Sequence, residues 1–572
     1  MAWIRTQEHF LALPASSVWA IVGNPARLPE WNPAVASLRP SGSLASNGAQ
    51  PAAESADEAI SRGTRLAYIP NPPLIGAVHT RTAPDAVVTE LTPPRPDSTP
   101  RHRAPRDQRQ HDGGAATSSA GSMAWRQQQP GGGLLARWEV IPHTVRTRTN
   151  DGEPTDLPGT LLRQRISVDG ALSPLFAELA ARPLASHFAE NCARLYALIT
   201  AEHTGSATPA EAAESANPSG ATPKRGRRSK RAAAAPSSSA AHSPPVTPAA
   251  TESTSAACTS LKVVIPGGTG FLGRHLAADL MTRGHDVVLL TRNPNPALPF
   301  RQAVWDGRTV AEWAGELEAA SGQRVAVVNL AGKLVDVRPT PLNVEALRDS
   351  RVDSTRALVE ASQQLPRPVE AWVQSSTTAI FSDAGDARLT EDSPLPTTAG
   401  ALPQMTGVAE PWERAAAGAN TERLHVLRTS IVLEQECPAY DRLAGLARRG
   451  LGGRVGSGQQ WFSWIHLADW LAIVRGMLGL EETVVPSGIV HAAAPEPVRN
   501  DELMRTLRAA LAPVKSVAVS TPAPLLRLGA VVLRTDPELA LTGRHVTSRV
   551  LDDAGFAFQH RDLASALRAI VS

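Results

Sequence analysis

Seven residues with three evenly spaced glycines have the right types and spacing to hold the phosphates of a dinucleotide. They are Gly267, Gly268, Thr269, Gly270, Phe271, Leu272 and Gly273. A short apolar run, Lys262 to Ile265, precedes them, and a helical pattern, Leu272 to Arg283, follows. Glycines permit a sharp turn and a close approach of the backbone to a pyrophosphate, while a helix N-terminus offers free N–H groups. This order predicts a dinucleotide site rather than an ordinary tight turn.

The end of the next apolar run, Asp286 to Leu290, indicates which dinucleotide fits. An NAD site commonly has Asp or Glu about 20 residues after the glycines, where it binds the ribose 2′-hydroxyl. This sequence has Arg292 instead. A guanidinium suits a 2′-phosphate because it forms bidentate hydrogen bonds and stacks on planar groups. The pattern favours NADP(H) over NAD, with added charge from Arg274; the alternative for Arg292 is a plain surface arginine.

Length and composition describe a chain of several ordinary domains. The 572 residues exceed what one hydrophobic core holds. A net charge of +3 does not favour nucleic acid as a partner. The three cysteines, Cys192, Cys258 and Cys437, lack ligand-like spacing, so we expect no metal site and no disulfide framework. With no secretory signal pattern and no apolar stretch of about 18 residues, we expect a cytoplasmic protein.

Two stretches of low complexity divide the chain. Residues 201–259 are rich in Ala, Ser, Pro, Thr and Glu, which predicts a disordered linker. The run KRGRRSKR, Lys224 to Arg231, could bind nucleic acid or an anionic membrane, but without interleaved aromatic residues a solvated charge run is favoured. A second stretch, about Pro93 to Gly133, is predicted to be a long surface insertion.

The two regions beside the linker differ in the order of their predicted strands and helices. Before it, several strand-like runs and a helical segment precede a long amphipathic segment, Pro174 to Thr200, which predicts an α+β domain. The runs are Thr6 to Leu13, Ser16 to Val22 (helical), Thr64 to Ile69, Ala86 to Leu91, Leu134 to Ile141 and Leu161 to Val168. After the linker, strands alternate with helices, which predicts a parallel sheet covered on both faces. Further strands there are Val325 to Leu330, Ala371 to Gln374 and Leu424 to Leu427.

The N-terminal 200 residues resemble a known ligand-binding fold. The segments EHFLALPASSVWAIV and LPEWNP, followed by strands and a long final helix, resemble the polyketide cyclase/START-like (SRPBCC) helix-grip fold. That resemblance implies a hydrophobic ligand held between a curved sheet and the helix. Residues His187 and Glu190 on the final helix are expected to be solvated or capping groups.

The C-terminal 310 residues carry a more specific set of motifs. They are NLAG (Asn329 to Gly332), DSRVDST (Asp349 to Thr355), SSTTAIFSDAGD (Ser375 to Asp386), PWE (Pro411 to Glu413), GLGGRVGSGQQWFSWIHLADW and a tail with TGRHVTSRVLDDAGFAF. In this order they resemble atypical epimerase-type short-chain dehydrogenases/reductases that end in a small domain of unknown function (DUF1731). The resemblance implies an α/β, Rossmann-like doubly wound parallel sheet over residues 260–500. Residues 501–572 would then form the small C-terminal domain packed on it.

The same resemblance implies roles for individual residues. Contacts with the cofactor are implied for Asp306 near the adenine, for Leu330, Ala331 and Gly332 beside the dinucleotide, and for Thr429, with Arg428, near the nicotinamide. Ser376 takes the position of the catalytic serine. Trp464, His466 and Asp469 belong to a segment near the substrate cleft. For His466, bracing the sheet edge or domain junction is an equally good interpretation.

One departure separates cofactor binding from catalysis. Short-chain dehydrogenases normally use a tyrosine with a lysine four residues later as their acid–base pair. The three tyrosines and the residues four positions on are Tyr68 and Pro72, Tyr196 and Thr200, and Tyr440 and Ala444. Acid–base work must therefore fall on Glu413, His466, Asp469 or the substrate. For Glu413, a capping or ion-paired carboxylate is the favoured alternative.

Two functions from different classes remain open. The first is an NADP(H)-dependent oxidoreductase or epimerase that acts on an unidentified small molecule, with Ser376, Glu413 and His466 as candidate catalytic residues. The second is a non-catalytic NADP-binding sensor, coupled through the linker to a hydrophobic-ligand-binding domain. The sequence predicts neither the substrate nor the oligomeric state.

Overall fold

The computed structural model describes residues 3–41, 60–71, 85–95, 120–129, 131–149, 151–205, 260–335, 337–397, 399–450, 452–511, 520–533 and 535–571. The strands are β1 (Trp3–Leu11), β2 (Val35–Pro40), β3 (Arg65–Pro70), β4 (Ala86–Thr92), β5 (Gly121–Gln129), β6 (Gly132–Arg148), β7 (Pro154–Asp169), β8 (Leu261–Pro266), β9 (Asp286–Thr291), β10 (Arg301–Val304), β11 (Arg324–Asn329), β12 (Val369–Thr377), β13 (Arg388–Leu389), β14 (Thr421–Thr429), β15 (Ile431–Leu433), β16 (Trp461–Phe462), β17 (Trp464–His466), β18 (Gly488–Ala492), β19 (Val498–Arg499) and β20 (His545–Val546). The helices are α1 (Ala15–Val22), α2 (Leu28–Trp31), α3 (Ser173–Phe176), α4 (Arg182–Ala185), α5 (Phe188–Thr204), α6 (Phe271–Thr282), α7 (Pro341–Gln363), α8 (Thr406–Ala415), α9 (Pro438–Arg448), α10 (Leu467–Met477), α11 (Asn500–Leu511), α12 (Ala523–Leu533), α13 (Glu538–Leu541), α14 (Arg549–Asp553) and α15 (Leu563–Val571).

The N-terminal region is a seven-stranded antiparallel sheet in the order β1-β7-β6-β5-β4-β3-β2. Alternate residues of β6, such as Ala136, Trp138 and Val140, are buried, which is the period-2 pattern of a sheet with one covered face. Helix α5 contributes Cys192 and Ile199 to the same core. The sheet and its helix form one α+β unit.

Two predictions in this region are wrong. The segment Pro174 to Thr200 is not one helix, because α4 and α5 are separated at His187, whose φ of 56° lies in the left-handed region. Helical backbone runs from α3 through a π-helical turn, Ala177–Ala181, into α4, and it ends where Ser186 becomes extended. The low-complexity stretch 93–133 is not a surface insertion over its whole length. Its last part contains β5, which pairs with both β4 and β6. Residues 206–259, with the basic run 224–231, lie outside the described residues.

The C-terminal region is built on a second sheet, parallel throughout, in the order β10-β9-β8-β11-β12-β14-β18. The first strand in sequence, β8, lies between β9 and β11, so the chain reverses direction across the sheet at that point. Ligands of doubly wound sheets bind at such a switch point, beyond the carboxyl ends of the strands. Separate apolar clusters cover the two faces. The predicted Rossmann-type architecture is confirmed.

The two regions also contact each other directly. The backbone N–H of Ala12 donates to the carbonyl of Thr282 at 2.7 Å, and His9 Nε2 lies 2.9 Å from Thr282 Oγ1. At another point Thr147 Oγ1 donates to the carbonyl of Leu480 at 2.8 Å. Helix α5 packs along α6, the helix that follows the glycine loop. Within the described ranges, no helix is long and apolar enough to cross a membrane.

Candidate functional site

The glycine loop is closed by contacts that only glycine permits. Gly267 has a φ of +74°, and a Cβ there would lie 2.7 Å from the carbonyl oxygen of Leu330. A Cβ on Gly273 would lie 2.5 Å from the Cα of Gly268, so α6 packs directly onto the loop. The loop is therefore fixed against both β11 and its own first turn.

Gly270 differs from these glycines because nothing fills the space beside it. It precedes α6 with an extended backbone, and a Cβ there would meet only the Gly267 carbonyl, at 3.5 Å. No side chain caps the helix N-terminus that it begins. Free N–H groups and an open approach are what a pyrophosphate requires. This cradle therefore fits the phosphates of a dinucleotide.

Two predicted adenine-side residues lie on the surface beyond β9 and β10. Arg292 directly follows β9, is exposed, and forms no hydrogen bond or ion pair with any other residue that the structure describes. Asp306 accepts hydrogen bonds from Arg308 N at 2.8 Å and from Thr309 N at 2.9 Å. Hydrogen bonds from Thr309, and then from Arg308, lower the pKa of Asp306 to about 2. Arg292 is thus free for a ligand, whereas Asp306 already shapes a turn.

The predicted loop after β11 is shaped by Asn329. Its side chain accepts from Ala331 N at 3.1 Å and donates to Gln374 Oε1 at 3.0 Å. Leu330 N donates to the Pro266 carbonyl at 2.9 Å, which ties this loop to the end of β8. These bonds hold Leu330, Ala331 and Gly332 beside the glycine loop.

Ser376, Glu413 and Arg428 come together at the carboxyl end of β12. The Ser376 hydroxyl donates to Glu413 Oε1 at 2.5 Å. Arg428 donates to both Glu413 oxygens, through Nε and Nη2, each at 2.8 Å. Ser376 is 3% exposed, and the side chain of Arg428 is 4% exposed. A buried serine hydroxyl therefore donates a hydrogen bond to a carboxylate that a bidentate ion pair fixes in place.

Sheet register and helix packing produce this arrangement. Ser376 and Arg428 are register partners on the parallel strands β12 and β14. Helix α8 buries Val408 and Trp412 and thereby turns Glu413 towards the strand ends. The interpretation of Glu413 as an ion-paired carboxylate agrees with the structure, which adds the bond to Ser376. Thr429, one residue on, accepts a hydrogen bond from Trp470 Nε1 at 3.1 Å.

Arg351, a buried cation on α7, was not predicted from the sequence. It donates to the Leu347 carbonyl at 3.0 Å and to the Lys333 carbonyl at 2.9 Å. Its Cζ lies 5.0 Å from the ring centre of Trp412. It pairs with no carboxylate among the described residues, and burial lowers its pKa to about 10. Arg351 braces the loop after β11 against the helix that carries Glu413; its place in the DSRVDST motif was the available signal.

His466 contacts neither Ser376 nor Glu413 in the hydrogen bonds of the described residues, and its partners lie on α10 and in the C-terminal domain. Its Nδ1 accepts the N–H of Ala468 at 3.1 Å, so the ring caps α10. Its ring centre lies 3.9 Å from that of His560. Burial and, to a lesser degree, His560 lower the pKa of His466 to about 3. The ring thus braces the junction with the C-terminal domain, one of the two roles expected for it.

Asp469 also connects α10 to the C-terminal domain by hydrogen bonds. Its two oxygens accept backbone N–H groups of Gln559 at 2.7 Å and His560 at 3.1 Å. Burial raises the pKa of Asp469 to about 6, although those two hydrogen bonds oppose the change. Because this pKa lies above the ordinary value of 3.8, the carboxyl stabilises the fold most at low pH. That contribution disappears as the pH rises through 6.

Replacing Asp469 by asparagine should therefore alter the pH dependence of thermal unfolding. The Tm difference, wild type minus Asp469→Asn, should be a few degrees larger at pH 4 than at pH 7, equivalent to on the order of 2–3 kcal/mol. Asp562→Asn is the control of opposite sign, because the Ser565 backbone N–H lowers the pKa of Asp562. A difference for Asp469→Asn that grows with rising pH would contradict the assignment.

Arg274 does not face the cofactor cradle. Its Nη1 lies 2.9 Å from Glu190 Oε1 and 3.2 Å from His187 Nδ1, both in the N-terminal region. The expectation that Glu190 is a solvated or capping group is wrong, since it is 2% exposed. It is buried because α5 packs its face against α6. Burial opposes the charge of Glu190, but His187, His275 and Arg274 together lower its pKa to about 2.

Comparison with known proteins places these features in a family. Residues 263–400 match the NAD dependent epimerase/dehydratase family, and residues 521–570 match a domain of unknown function, DUF1731. The human epimerase family protein SDR39U1 is 32% identical over 320 residues, which are 54% of this chain and all of that protein. A chloroplastic homologue from Arabidopsis thaliana is 30% identical, over 55% of this chain and 87% of its own.

Two solved structures are also similar to this chain. The crystal structure of human SDR39U1 (isoform 2) with NADPH has a TM-score of 0.47 and 30% identity, and the match covers 54% of this chain and 99% of that one. A nucleoside-diphosphate sugar epimerase from Corynebacterium glutamicum has a TM-score of 0.45 and 19% identity, covering 99% of this chain and 90% of its own. On the identity and full coverage of the human relative, the chain belongs to the epimerase family that includes SDR39U1.

Proposed function

We propose that this protein is an NADP(H)-dependent oxidoreductase or epimerase of the atypical short-chain dehydrogenase type, acting on a small molecule. The observation that carries the proposal is the 2.5 Å hydrogen bond between Ser376 and Glu413. It lies at the carboxyl end of β12, next but one in the sheet to the strand that leads into the glycine loop. A proton-transferring pair thus lies on the edge of the sheet where the dinucleotide cradle opens.

In this proposal Ser376 and Glu413 replace the missing tyrosine–lysine pair. When bound, NADP(H) supplies or accepts the hydride. The Ser376 oxygen contacts the substrate oxygen, and the serine proton passes to and from Glu413 Oε1. Oxidation of an alcohol moves the proton from substrate through Ser376 to Glu413, and reduction reverses that path. Arg428 holds Glu413 in place, and His466 braces the C-terminal domain.

The cofactor assignment rests on Arg292 and the glycine cradle. The residues proposed to hold NADP(H) are Gly267, Gly268, Thr269, Gly270, Phe271, Leu272, Gly273, Arg292, Asp306, Leu330, Ala331, Gly332 and Thr429. Human SDR39U1, 32% identical, has been crystallised with NADPH. That sequence relationship supports the same cofactor for this chain.

Replacing Arg292 by aspartate should reverse the cofactor preference. The exposed guanidinium is free of protein partners, so its loss removes a charge-assisted contact with the 2′-phosphate, and the new carboxylate repels that group. We expect NADPH affinity to fall by about 10- to 100-fold relative to NADH, measured by fluorescence titration of each. Arg367→Asp, at an exposed arginine in the loop between α7 and β12, is the control. An unchanged NADPH/NADH ratio in Arg292→Asp would show that the 2′-phosphate lies elsewhere.

The proposed function is tested by NADPH titration followed by stopped-flow oxidation with a set of carbonyl compounds. Tight binding with turnover that depends on Ser376 supports the enzyme. Tight binding without any turnover removes the oxidoreductase assignment. Turnover that is undiminished in Ser376→Ala removes the catalytic role of Ser376 and leaves the activity itself. Failure to bind either dinucleotide would remove both the enzyme and the sensor as functions of this protein.

The second candidate, an NADP-binding sensor, is favoured by the packing of α5 on α6. The N-terminal domain, of the proposed helix-grip type, would then report a bound hydrophobic ligand to the cofactor helix by direct contact. Within its described core the indole N–H groups of Trp31, Trp125 and Trp138 are buried without acceptors, which suits a ligand with acceptor oxygens. Native mass spectrometry would identify such a ligand. A change in NADPH affinity on its removal, with no turnover, would favour the sensor.

A further inference from the structure

Six large apolar side chains lie exposed in two segments beside the candidate site. They are Leu334, Val335, Leu342, Leu525, Leu528 and Val531, here called the apolar rim, and their exposed fractions run from 47% to 77%. They make up six of the thirteen large hydrophobic side chains that are exposed among the described residues. Large apolar side chains that are exposed close together mark a binding site more often than those scattered singly.

The rim has two sides that meet. Leu334, Val335 and Leu342 follow the loop after β11 and enter the first turn of α7. On α12, Leu525, Leu528 and Val531 recur every third residue and so share one face of the helix. The guanidinium of Arg338, which lies between Val335 and Leu342 in sequence, donates to the Val531 carbonyl. One segment belongs to the dinucleotide domain and the other to the C-terminal domain.

A short chain of contacts connects the rim to the proton-transferring pair. Leu334 follows Lys333, whose carbonyl accepts a hydrogen bond from Arg351 at 2.9 Å. Arg351 lies over the ring of Trp412, the residue before Glu413. The loop that carries Leu334 also abuts the glycine loop through Leu330 and Gly267. The loop that carries Leu334 is therefore joined both to the glycine loop and to the helix that carries Glu413.

The charges of these segments do not suit a nucleoside diphosphate. Two phosphates call for several cations or N–H donors arranged around them. Of the basic side chains here, Arg338 is bonded to the Val531 carbonyl, and Arg527 lies 3.5 Å from Glu538. Among the described residues of the two segments this leaves Lys333, beside six exposed apolar groups. This surface matches a hydrocarbon better than a diphosphate.

We propose that the substrate handled at Ser376 is an apolar carbonyl compound or alcohol whose hydrocarbon portion lies against the apolar rim. The inference rests on the proposed function and names its substrate class. The polar end of the substrate faces Ser376, while the chain or ring system is covered by α12 and the loop after β11. Burial of each methylene then contributes to binding in proportion to its apolar area.

The test is a homologous series of 2-alkanones, from butanone to decanone, with full-length protein and NADPH. In the wild type, kcat/KM should rise about two- to fourfold for each added methylene until the rim is filled. In the double variant Leu525→Ser, Leu528→Ser, the logarithmic slope of that series should fall by half or more. The matched controls are Leu446→Ser and Leu179→Ser, exposed leucines away from the rim, and they should keep the wild-type slope.

Binding of a neutral apolar fluorophore, N-phenyl-1-naphthylamine, to the NADP-loaded protein provides the second arm. Decanone should displace it, UDP-glucose should not, and the double variant should bind it at least fivefold more weakly than the controls. Turnover of butanone with a flat series, or displacement by UDP-glucose but not decanone, would overturn the apolar substrate. Absence of turnover for every ketone would defeat the proposed hydride step, and the fluorophore result would still decide whether the rim binds apolar molecules.

Discussion

Replacing Ser376 by alanine should lower kcat/KM for NADPH-dependent reduction of a 2-alkanone by about 10²- to 10⁴-fold, the usual contribution of a positioned acid–base group. The alanine keeps the strand geometry but removes the only oxygen that links the substrate to Glu413 in the proposed relay. Affinity for NADPH should change by less than about twofold, because no cradle residue is touched. Stopped-flow absorbance at 340 nm and NADPH fluorescence titration measure the two quantities separately.

Ser375→Ala is the matched control for this prediction. Ser375 precedes Ser376 on β12 but, by strand alternation, points to the opposite side of the sheet. Its substitution should leave kcat/KM within about threefold of the wild type. Equal losses for the two alanine variants would mean that the serine hydroxyl of Ser376 has no special chemical role.

A single substitution of Glu413 does not test its chemical role, because it also leaves Arg428 without its ion-pair partner. Glu413→Gln leaves the Arg428 guanidinium, whose side chain is 4% exposed, without its carboxylate. Breaking a buried pair in this way costs about 3–5 kcal/mol of stability. The double variant Glu413→Gln, Arg428→Gln removes both charges, so it should recover Tm. Turnover should stay as low as in Ser376→Ala, since the proton acceptor is still missing.

Local patterns account for what the sequence predicted well. The glycine loop, the strand before it and the helix after it are contiguous in sequence, so their geometry follows from short-range rules about turns and helix N-termini. The alternation of apolar runs and helical segments likewise predicted the parallel sheet. Ser376 was named through the resemblance to the family, and its catalytic role stays a prediction.

Contacts between distant segments could not be predicted in the same way. The Ser376–Glu413 bond depends on the register of β12 with β14 and on the packing of α8, which no local pattern specifies. The burial of Arg351 depends on its contact with Trp412, which is distant in sequence, so the helical pattern around Arg351 does not predict it. The break at His187 was hidden because the apolar residues on either side keep helical spacing.

The buried pair between Glu190 and Arg274 is the least predictable of these features and has structural consequences. Glu190 lies on α5, the last helix of the N-terminal region, and Arg274 lies on α6, directly after the glycine loop. Both charges are held within the contact between two domains that a 54-residue undescribed segment, 206–259, separates in sequence. The two domains are therefore joined through a specific ion pair beside the cofactor helix, and not by the chain alone.

Replacing Glu190 by glutamine should destabilise this junction by about 2–4 kcal/mol, because it leaves the Arg274 guanidinium facing a neutral partner in a mostly buried contact. Differential scanning calorimetry should show the N-terminal unit unfolding several degrees earlier, as a transition separate from the dinucleotide domain. The pKa of Glu190 is lowered to about 2, so its contribution is present above its ordinary pKa of 4.5 and is lost as the pH falls towards 2. The Tm difference, wild type minus variant, should therefore be large at pH 7 and shrink on acidification.

Glu178→Gln is the matched control, since it removes another N-terminal glutamate that pairs with an arginine, Arg182, but is 58% exposed. Exposed pairs contribute about 0–1 kcal/mol, so this variant should keep a wild-type transition. If Glu190→Gln unfolds like the control, the contact between α5 and α6 contributes no stability through its charges. If instead the junction loosens, NADPH affinity measured on the same variant separates the two candidate functions. A sensor requires that affinity to change with the junction, whereas an enzyme that uses the N-terminal domain only to present substrate does not.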